Sequence, residues 1–263
     1  MNKKHTAVYA RELFTAERSR IAIPPFTERD NSFTVDDAYA VQLENVKHAL
    51  DLGYKISGKK IGLTSLAMQQ QLGVGEPDYG HLFSAMDCLS GCLDTDALIQ
   101  PKIEAELAFV LNMALRGGNV SVDDVDEATE YVVAAFEIVD SRVADWRIKL
   151  PDTIADNASS GRYVLGCTKI APKSVNLTAV SMKLYQMNDE SAVLLSEGLG
   201  SAVLGDPRLA VAWLANKLWS YGVALEAGEI VLSGAFSSAF AAHKGDIFRA
   251  EFSDFGSVEA RFV

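Results

Sequence analysis

Three glutamates are the residues of this sequence best suited to bind a metal ion. Glu104 and Glu106 flank Ala105 in an alternating segment, residues 102–111. In a strand, residues i and i+2 project from the same face. Two adjacent carboxylates repel each other unless a proton or a cation lies between them. The pair therefore predicts either a cation site or, more simply, a solvated strand face.

Glu137 interrupts the apolar run 131–139, where a carboxylate is expected to be buried. Burying an unpaired carboxylate costs on the order of several kcal/mol, so Glu137 needs a partner. Arg142 or a lysine could form a structural ion pair with it, or it could share a divalent cation with Glu104 and Glu106. Three oxygen ligands with no nearby His or Cys favour Mg²⁺ or Mn²⁺ over zinc.

Lys60 and Asp78 are candidates for charge stabilisation and proton transfer. Lys60 lies in the segment 59–64, which is predicted to be a strand with Lys60 on its polar face. A lysine beside a metal can hold a substrate carboxylate or stabilise an enolate; a solvated lysine next to Lys59 is the alternative. Asp78 lies in the turn-like sequence 75–80. It is either an ordinary turn residue or a catalytic base.

Other parts of the sequence carry weaker signals. The polar segment 152–161 follows Glu137 closely enough to edge the same pocket, or it is a surface loop. The glycines have no dinucleotide-binding or P-loop spacing, and no G-x-S-x-G motif occurs. His81 and His243 have no evident partner, and a lone histidine is more often structural.

The elements that must position these residues are helices first and mostly strands afterwards. Helices are predicted at 5–19, at 34–53 with a capping box between Thr34 and Asp37, at 65–72, at 122–130 and at 206–222. Strands are predicted at 59–64, 102–111, 230–233, 246–252 and 257–263. This order indicates an α+β fold and not an alternating doubly wound sheet.

Composition excludes several classes of protein. The 263 residues are 49% hydrophobic and carry a net charge of −11, which opposes binding to nucleic acid or anionic lipid. The three cysteines are an odd number and indicate a reducing compartment. We find neither a signal peptide nor an apolar stretch approaching the roughly 20 residues of a spanning helix. We therefore expect a cytoplasmic protein with no nucleic-acid or membrane partner.

Several blocks together resemble the 2-keto-4-pentenoate (2-hydroxypenta-2,4-dienoate) hydratases of the fumarylacetoacetate hydrolase superfamily. They span the chain from about residue 36 to residue 263, in family order: 58–65, 73–80, 101–109, 137–142, 152–159, 211–216 and 256–262. One departure is the stretch 234–243, where relatives often carry proline and this chain has none. That difference leaves the preference for the substrate's tail open.

The resemblance implies a small N-terminal helical part, residues 1–55, and a mixed-sheet, barrel-like catalytic domain of the fumarylacetoacetate-hydrolase type, residues 56–263. It implies Mg²⁺ or Mn²⁺ as cofactor. The implied site residues are three metal ligands, two catalytic residues and two substrate-binding residues: Glu104, Glu106 and Glu137; Lys60 and Asp78; Asn157 and Ser160.

The implied activity is that of a hydro-lyase in the meta-cleavage degradation of aromatic compounds. Water adds to 2-hydroxypenta-2,4-dienoate, through its keto tautomer, to give 4-hydroxy-2-oxopentanoate. A 4-oxalocrotonate decarboxylase or a 2-oxohept-4-ene-1,7-dioate hydratase are the related alternatives. A non-catalytic partner of a pathway decarboxylase or aldolase is the alternative from another class. Homo-oligomerisation is expected, and so is a complex with such a pathway enzyme.

Overall fold

The computed structural model describes residues 3–65, 69–70, 74–188 and 191–263. Its helices are α1 (Lys3–Ser19), α2 (Phe26–Arg29), α3 (Val35–Asp51), α4 (Val122–Ala128), α5 (Leu150–Ala155) and α6 (Pro207–Trp219). Four helices predicted from the sequence are confirmed, and the predicted helix at 65–72 lies largely outside the described residues. No helix in the described ranges combines the length and apolarity needed to cross a bilayer.

Side-chain caps encoded in the sequence fix the starts of α3, α4 and α6. The Thr34 hydroxyl accepts a hydrogen bond from the backbone of Asp37, whose carboxylate accepts one in return, so the predicted capping box is confirmed. Ser121 and Asp124 form a second box at α4. Asp206 caps α6 by accepting from the Arg208 amide.

The strands of the described chain form two sheets. They are β1 (Ile56–Gly62), β2 (Asp78–Phe83), β3 (Cys92–Leu93), β4 (Pro101–Leu111), β5 (Thr129–Asp140), β6 (Ser160–Leu165), β7 (Ser181–Met187), β8 (Ala192–Leu199), β9 (Ile230–Ala235), β10 (Phe240–Ala241), β11 (Ile247–Phe252) and β12 (Gly256–Phe262). The first sheet has the order β2-β1-β9-β4-β5-β6, with β10 also paired to β4. The second has the order β3-β12-β11-β7-β8.

The first sheet is strongly curved. In the strand order, β5 is the third strand from β1, so their backbones would be about 14 Å apart in a flat sheet. Yet Nζ of Lys60 on β1 lies 3.0 Å from Oε1 of Glu137 on β5. At the two edges, the Asn157 side chain before β6 accepts from the His81 amide of β2 and donates to its carbonyl, at 2.7 and 2.8 Å. The sheet is therefore a half-barrel whose β2 and β6 edges are tied together, which confirms the predicted barrel-like architecture.

The two faces of the half-barrel have different environments. The convex face carries the apolar set predicted for β4, residues Ile103, Ala105, Leu107 and Phe109, and packs into the main core of the protein. On the concave face, polar side chains occupy one end and an apolar cluster fills the other. That cluster includes Leu82, Ala108, Val133, Tyr163 and Leu232, and Val46 of α3 and Met86 pack against it.

Two predictions of local structure, for the segments that contain Lys60 and Asp78, are wrong in part. The sequence 75–80 was predicted to be a turn, but Asp78 begins β2, whose pairing with β1 places Asp78 opposite Gly62. Sheet pairing here overrides local turn propensity. The predicted strand 59–64 ends at Gly62 because Leu63 adopts a positive φ of 57°.

The segment 152–161 is not a surface loop. It begins within α5, passes through a 3-10 turn at Asn157–Ser159 and enters β6. Asp152 is buried because its carboxylate accepts from the amide and hydroxyl of Thr27, on α2. Tertiary hydrogen bonds of this kind cannot be read from local composition.

Candidate active site

Three glutamate side chains converge on the concave face of the half-barrel. Glu104 of β4 pairs directly with Glu137 of β5, and Glu106 projects from the same face two residues along β4. Directly paired residues of antiparallel strands have Cβ atoms about 5 Å apart. One carboxylate oxygen from each glutamate lies within 4.8 Å of the other two. Strand register thus places three residues that are distant in sequence around one point.

Two of these carboxyl groups, those of Glu106 and Glu137, are buried and that of Glu104 is half-buried, which disfavours their charged forms. Burial, reinforced by the other glutamates, raises the pKa of Glu106 well above its ordinary value. Burial also raises the pKa of Glu104, and raises that of Glu137 to about 7. Glu106 and Glu137 are each 1% exposed, so the solvated strand face considered for the Glu104–Glu106 pair is excluded for Glu106.

The carboxylate oxygens of the three glutamates are suitable ligands for a hard divalent cation. Oε2 of Glu106 accepts from the Gly234 amide at 2.8 Å, but Oε2 of Glu137 has no hydrogen-bond partner among the described residues. An orphaned buried acceptor beside two further carboxylates is what a dication relieves. The cluster contains only carboxylate oxygens and no His or Cys, as Mg²⁺ and Mn²⁺ prefer.

Lys60 is the basic residue of the cluster. It is 3% exposed, so the alternative of a solvated lysine is excluded. Burial alone lowers its pKa, but attraction to Glu137, and then to Asp78, outweighs burial and keeps the pKa above its ordinary value. Of the two ion-pair partners considered for Glu137, the lysine is the one observed, and it is Lys60. Arg142 pairs with Asp156 instead.

Asp78 faces the same cluster from β2. It is buried opposite Gly62, and a Cβ at Gly62 would collide with its Oδ1 while lying 3.7 Å from Nζ of Lys60. Burial raises the pKa of Asp78, and the nearby Lys60 and the Thr153 hydroxyl oppose that rise. Asp78 is therefore placed to exchange a proton with a molecule bound between these strands.

Comparison with known proteins places this geometry in a family. The family profile described as fumarylacetoacetate (FAA) hydrolase C-terminal matches residues 94–263. A 2-keto-4-pentenoate hydratase of Paraburkholderia xenovorans is 44% identical over 254 residues, which cover 96% of this chain and 93% of that protein. The chain belongs to the 2-keto-4-pentenoate hydratase family, within the fumarylacetoacetate hydrolase superfamily.

Two further relatives of this hydratase-family chain carry the names of other activities. A 2-oxo-hept-4-ene-1,7-dioate hydratase of Escherichia coli is 41% identical, with 100% of both chains covered. The solved structure of a 4-oxalocrotonate decarboxylase from Pseudomonas putida G7, complexed with magnesium and adipate, superposes with a TM-score of 0.95. It is 33% identical and covers 100% of this chain and 99% of its own.

The two residues predicted to bind substrate in this hydratase-family chain are placed differently from the other five. The amide of Asn157 is occupied by the His81 backbone, and the Ser160 hydroxyl donates to the Asn157 carbonyl at 2.8 Å. Both residues line a cavity beside α1 and α3, and that cavity includes none of the other five. Their role as substrate ligands stays a prediction.

Sequence reasoning missed three residues that shape the site. Gly62 leaves the space that Asp78 occupies, Gly234 donates its amide to Glu106, and Thr153 supports Asp78. The hydroxyl of the neighbouring Ser233 donates to the Leu107 carbonyl. A positive φ of 114° explains why position 234 is glycine. In the sequence, the only sign of its role was that Gly234 directly follows the predicted strand 230–233.

Proposed function

We propose that this protein is a divalent-metal-dependent hydratase acting on 2-hydroxypenta-2,4-dienoate in the meta-cleavage degradation of aromatic compounds. Water adds to the keto tautomer, and the product is 4-hydroxy-2-oxopentanoate. The observation that carries the proposal is the convergence of three carboxylates within 4.8 Å of one another, beside Lys60 and Asp78; Glu106 and Glu137 are buried and Glu104 is half-buried. The 44% identity to a 2-keto-4-pentenoate hydratase supports it.

Glu104, Glu106 and Glu137 are proposed as the ligands of Mg²⁺ or Mn²⁺. The metal supplies Lewis-acid stabilisation of negative charge on the substrate's 2-oxygen. The magnesium complex of the related decarboxylase agrees with this choice of ion. Gly234 holds one Glu106 oxygen by a hydrogen bond, which orients this ligand.

Lys60 is proposed to stabilise charge. Its raised pKa keeps the ammonium group charged, 3.0 Å from Oε1 of Glu137 and in the cluster where a 2-oxo acid would bind. As the dienol loses its hydroxyl proton, negative charge develops on the 2-oxygen and spreads along the conjugated system. A fixed cation in a buried site lowers the energy of that charge.

Asp78 is proposed as the proton carrier. Tautomerisation removes the proton of the 2-hydroxyl group and adds one at C5, and hydration then adds OH at C4 and H at C3. Burial raises the pKa of Asp78, so its carboxyl group holds a proton more readily than an exposed one and can return it, as such a shuttle requires. The nearby Thr153 hydroxyl lowers the pKa of Asp78 and so favours its charged form.

The test is turnover of the dienoate by the purified protein, followed by loss of its ultraviolet absorbance. Activity should vanish on metal chelation and return with Mg²⁺ or Mn²⁺. Glu106→Gln should lower kcat/KM by about a hundredfold or more, because it removes a charged ligand. Glu197→Gln, on an exposed residue paired with Lys183, is the control. Wild-type turnover by Glu106→Gln would overturn the ligand assignment.

Two related activities compete with this proposal. They are the activities of the similar heptenedioate hydratase and of the similar 4-oxalocrotonate decarboxylase. Either one would require a dicarboxylate substrate. Parallel incubation with the three dienoates separates the possibilities. Release of CO₂ identifies the decarboxylase, and hydration of only the seven-carbon diacid identifies the other hydratase.

Assembly and location are further parts of the proposal. We propose a homo-oligomer in the cytoplasm, in a complex with a decarboxylase or aldolase of the same pathway. The free thiols of Cys88, Cys92 and Cys167 support a reducing compartment. A metal-stripped sample that still increased a partner's activity would favour a supporting, non-catalytic role instead.

A further inference from the structure

A cavity of about 370 Å³ separates helices α1 and α3 from the tied edges of the half-barrel. This volume lies in the range of small-molecule sites, about 300–1,000 Å³. Neither Lys60, Asp78 nor any of the three glutamates lines it. It therefore lies apart from those five residues, beside the seam between β2 and β6.

The charged residues that line this cavity are mainly basic. Arg142 and Asp156 also line it, but they form a buried ion pair with each other. The remaining charges are three arginines, Arg18, Arg20 and Arg162, against the single carboxylate of Glu17. A local excess of cations in a chain of net charge −11 favours an anionic occupant.

Arg162 is the cation best placed to bind that anion. It is half-buried, its one hydrogen bond runs to the Gly161 carbonyl, and no carboxylate lies within ion-pair distance among the described residues. A guanidinium group in a partly desolvated position binds carboxylates by paired hydrogen bonds. Asn45 of α3, also half-buried, has an amide with no hydrogen-bond partner in the described part of the chain.

The rest of the wall is apolar. Phe14 and Val46 approach from α1 and α3, and Phe83 and Met86 from the end of β2. We propose that this cavity binds a small organic carboxylate with an apolar, ring-sized body and a hydroxyl group. The carboxylate pairs with Arg162, the hydroxyl bonds to the Asn45 amide, and the body packs against the apolar wall. Lys60, Asp78 and the three glutamates do not line this cavity, although Asn157 and Ser160, which the sequence predicted to bind substrate, do.

The test uses 4-hydroxybenzoate as the probe and the full chain stripped of metal by a chelator. Without metal, the glutamate cluster offers the probe no cation other than Lys60. Binding is measured by isothermal titration calorimetry. Benzoate, which lacks the hydroxyl, and 4-hydroxybenzyl alcohol, which lacks the carboxylate, are the matched probes. We expect one bound molecule per chain and about tenfold weaker binding for each matched probe.

Three variants locate the binding. Arg162→Gln should weaken it about tenfold by removing the cation, and Ala49→Phe should abolish it by filling the cavity from α3. Arg116→Gln, on an exposed residue elsewhere, is the matched control and should bind like wild type. Circular dichroism and the melting temperature verify that each variant is folded.

No binding of 4-hydroxybenzoate to the folded wild type would overturn the proposal. So would binding that Arg162→Gln and Ala49→Phe both leave unchanged. If Ala49→Phe breaks an oligomer while the wild type binds no probe, the cavity is a subunit contact and the proposal also fails. Because the measurement needs neither metal nor turnover, failure of the hydratase assignment leaves it interpretable.

Discussion

Lys59 and Lys60 are neighbours in the chain with opposite surroundings. Lys60 faces the carboxylate cluster, whereas Lys59 projects from the other face of β1 and pairs with Glu229 at 2.6 Å. Both are almost fully buried. Composition alone cannot separate them, since the difference arises from strand alternation. The pair offers a matched experiment.

We expect Lys60→Met to lower kcat/KM by about 10²–10³-fold, because it removes a cation fixed beside the developing charge. Lys59→Met should instead cost about 3–5 kcal/mol of stability, since it leaves the mostly buried Glu229 without its partner, while kcat stays near wild type. Steady-state kinetics and chemical denaturation measure the two effects. Equal kinetic losses in both variants would contradict the assignment of Lys60 to the site.

Metal affinity should rise with pH. The metal binds the carboxylate form, and burial raises the pKa of Glu137 to about 7, so protons compete with the metal below that pH. Glu137 loses its proton as the pH increases through about 7, so binding should be about tenfold tighter near pH 8 than near pH 6. Titration with Mn²⁺ at both pH values measures it. An affinity independent of pH would show that the cluster is already ionised.

At the scale of elements, close packing of β1 against β2 sets the position of Asp78. Gly62→Ala places a methyl group against the Asp78 carboxylate, and both strands are held by their neighbours. We expect kcat/KM to fall about tenfold or more, since small misplacements of reacting groups are costly. Gly118→Ala, whose Cβ would meet only Trp219 at 3.8 Å, is the control. Unchanged kinetics in Gly62→Ala would place Asp78 outside the reaction.

The sequence predicted elements that carry a strong local signal. Thr34 with Asp37 marked the start of α3, and alternation marked β4. The apolar run 131–139 predicted burial of Glu137 but did not show that this segment is the strand β5. It did not predict β2, β6 or the β7–β8 hairpin. Asp78 and Ser160 start β2 and β6 after turn-forming residues, so only pairing with a neighbouring strand identifies them.

The candidate site was predicted more completely than the sheet that builds it. Glu137 is conspicuous in its apolar context and Glu104 and Glu106 by their spacing, and the resemblance connected them with Lys60 and Asp78. The strong curvature that brings Lys60 to Glu137 is a property of strand order and register, which one sequence does not contain. For the same reason the occupation of the Asn157 amide by β2 could not be foreseen.

At the scale of the whole molecule, the glutamate cluster couples metal binding to folding. The three carboxylates come together only when β4 and β5 are paired, so the metal binds the folded state. At about 100 times its dissociation constant, Mg²⁺ should add about 2.7 kcal/mol to the free energy of unfolding. The melting temperature should then rise by about 5 °C or more. Calorimetry with and without chelator measures the shift, and an equal shift in Glu137→Gln would place the ion elsewhere.

The apolar cluster on the concave face continues the same strand faces that carry the site. Leu82 lies four residues beyond Asp78 on β2, and Ala108 lies two residues beyond Glu106 on β4. Val46 of α3 packs against this cluster. A substitution that shortens one of these side chains would leave a void in the packed cluster and cost stability.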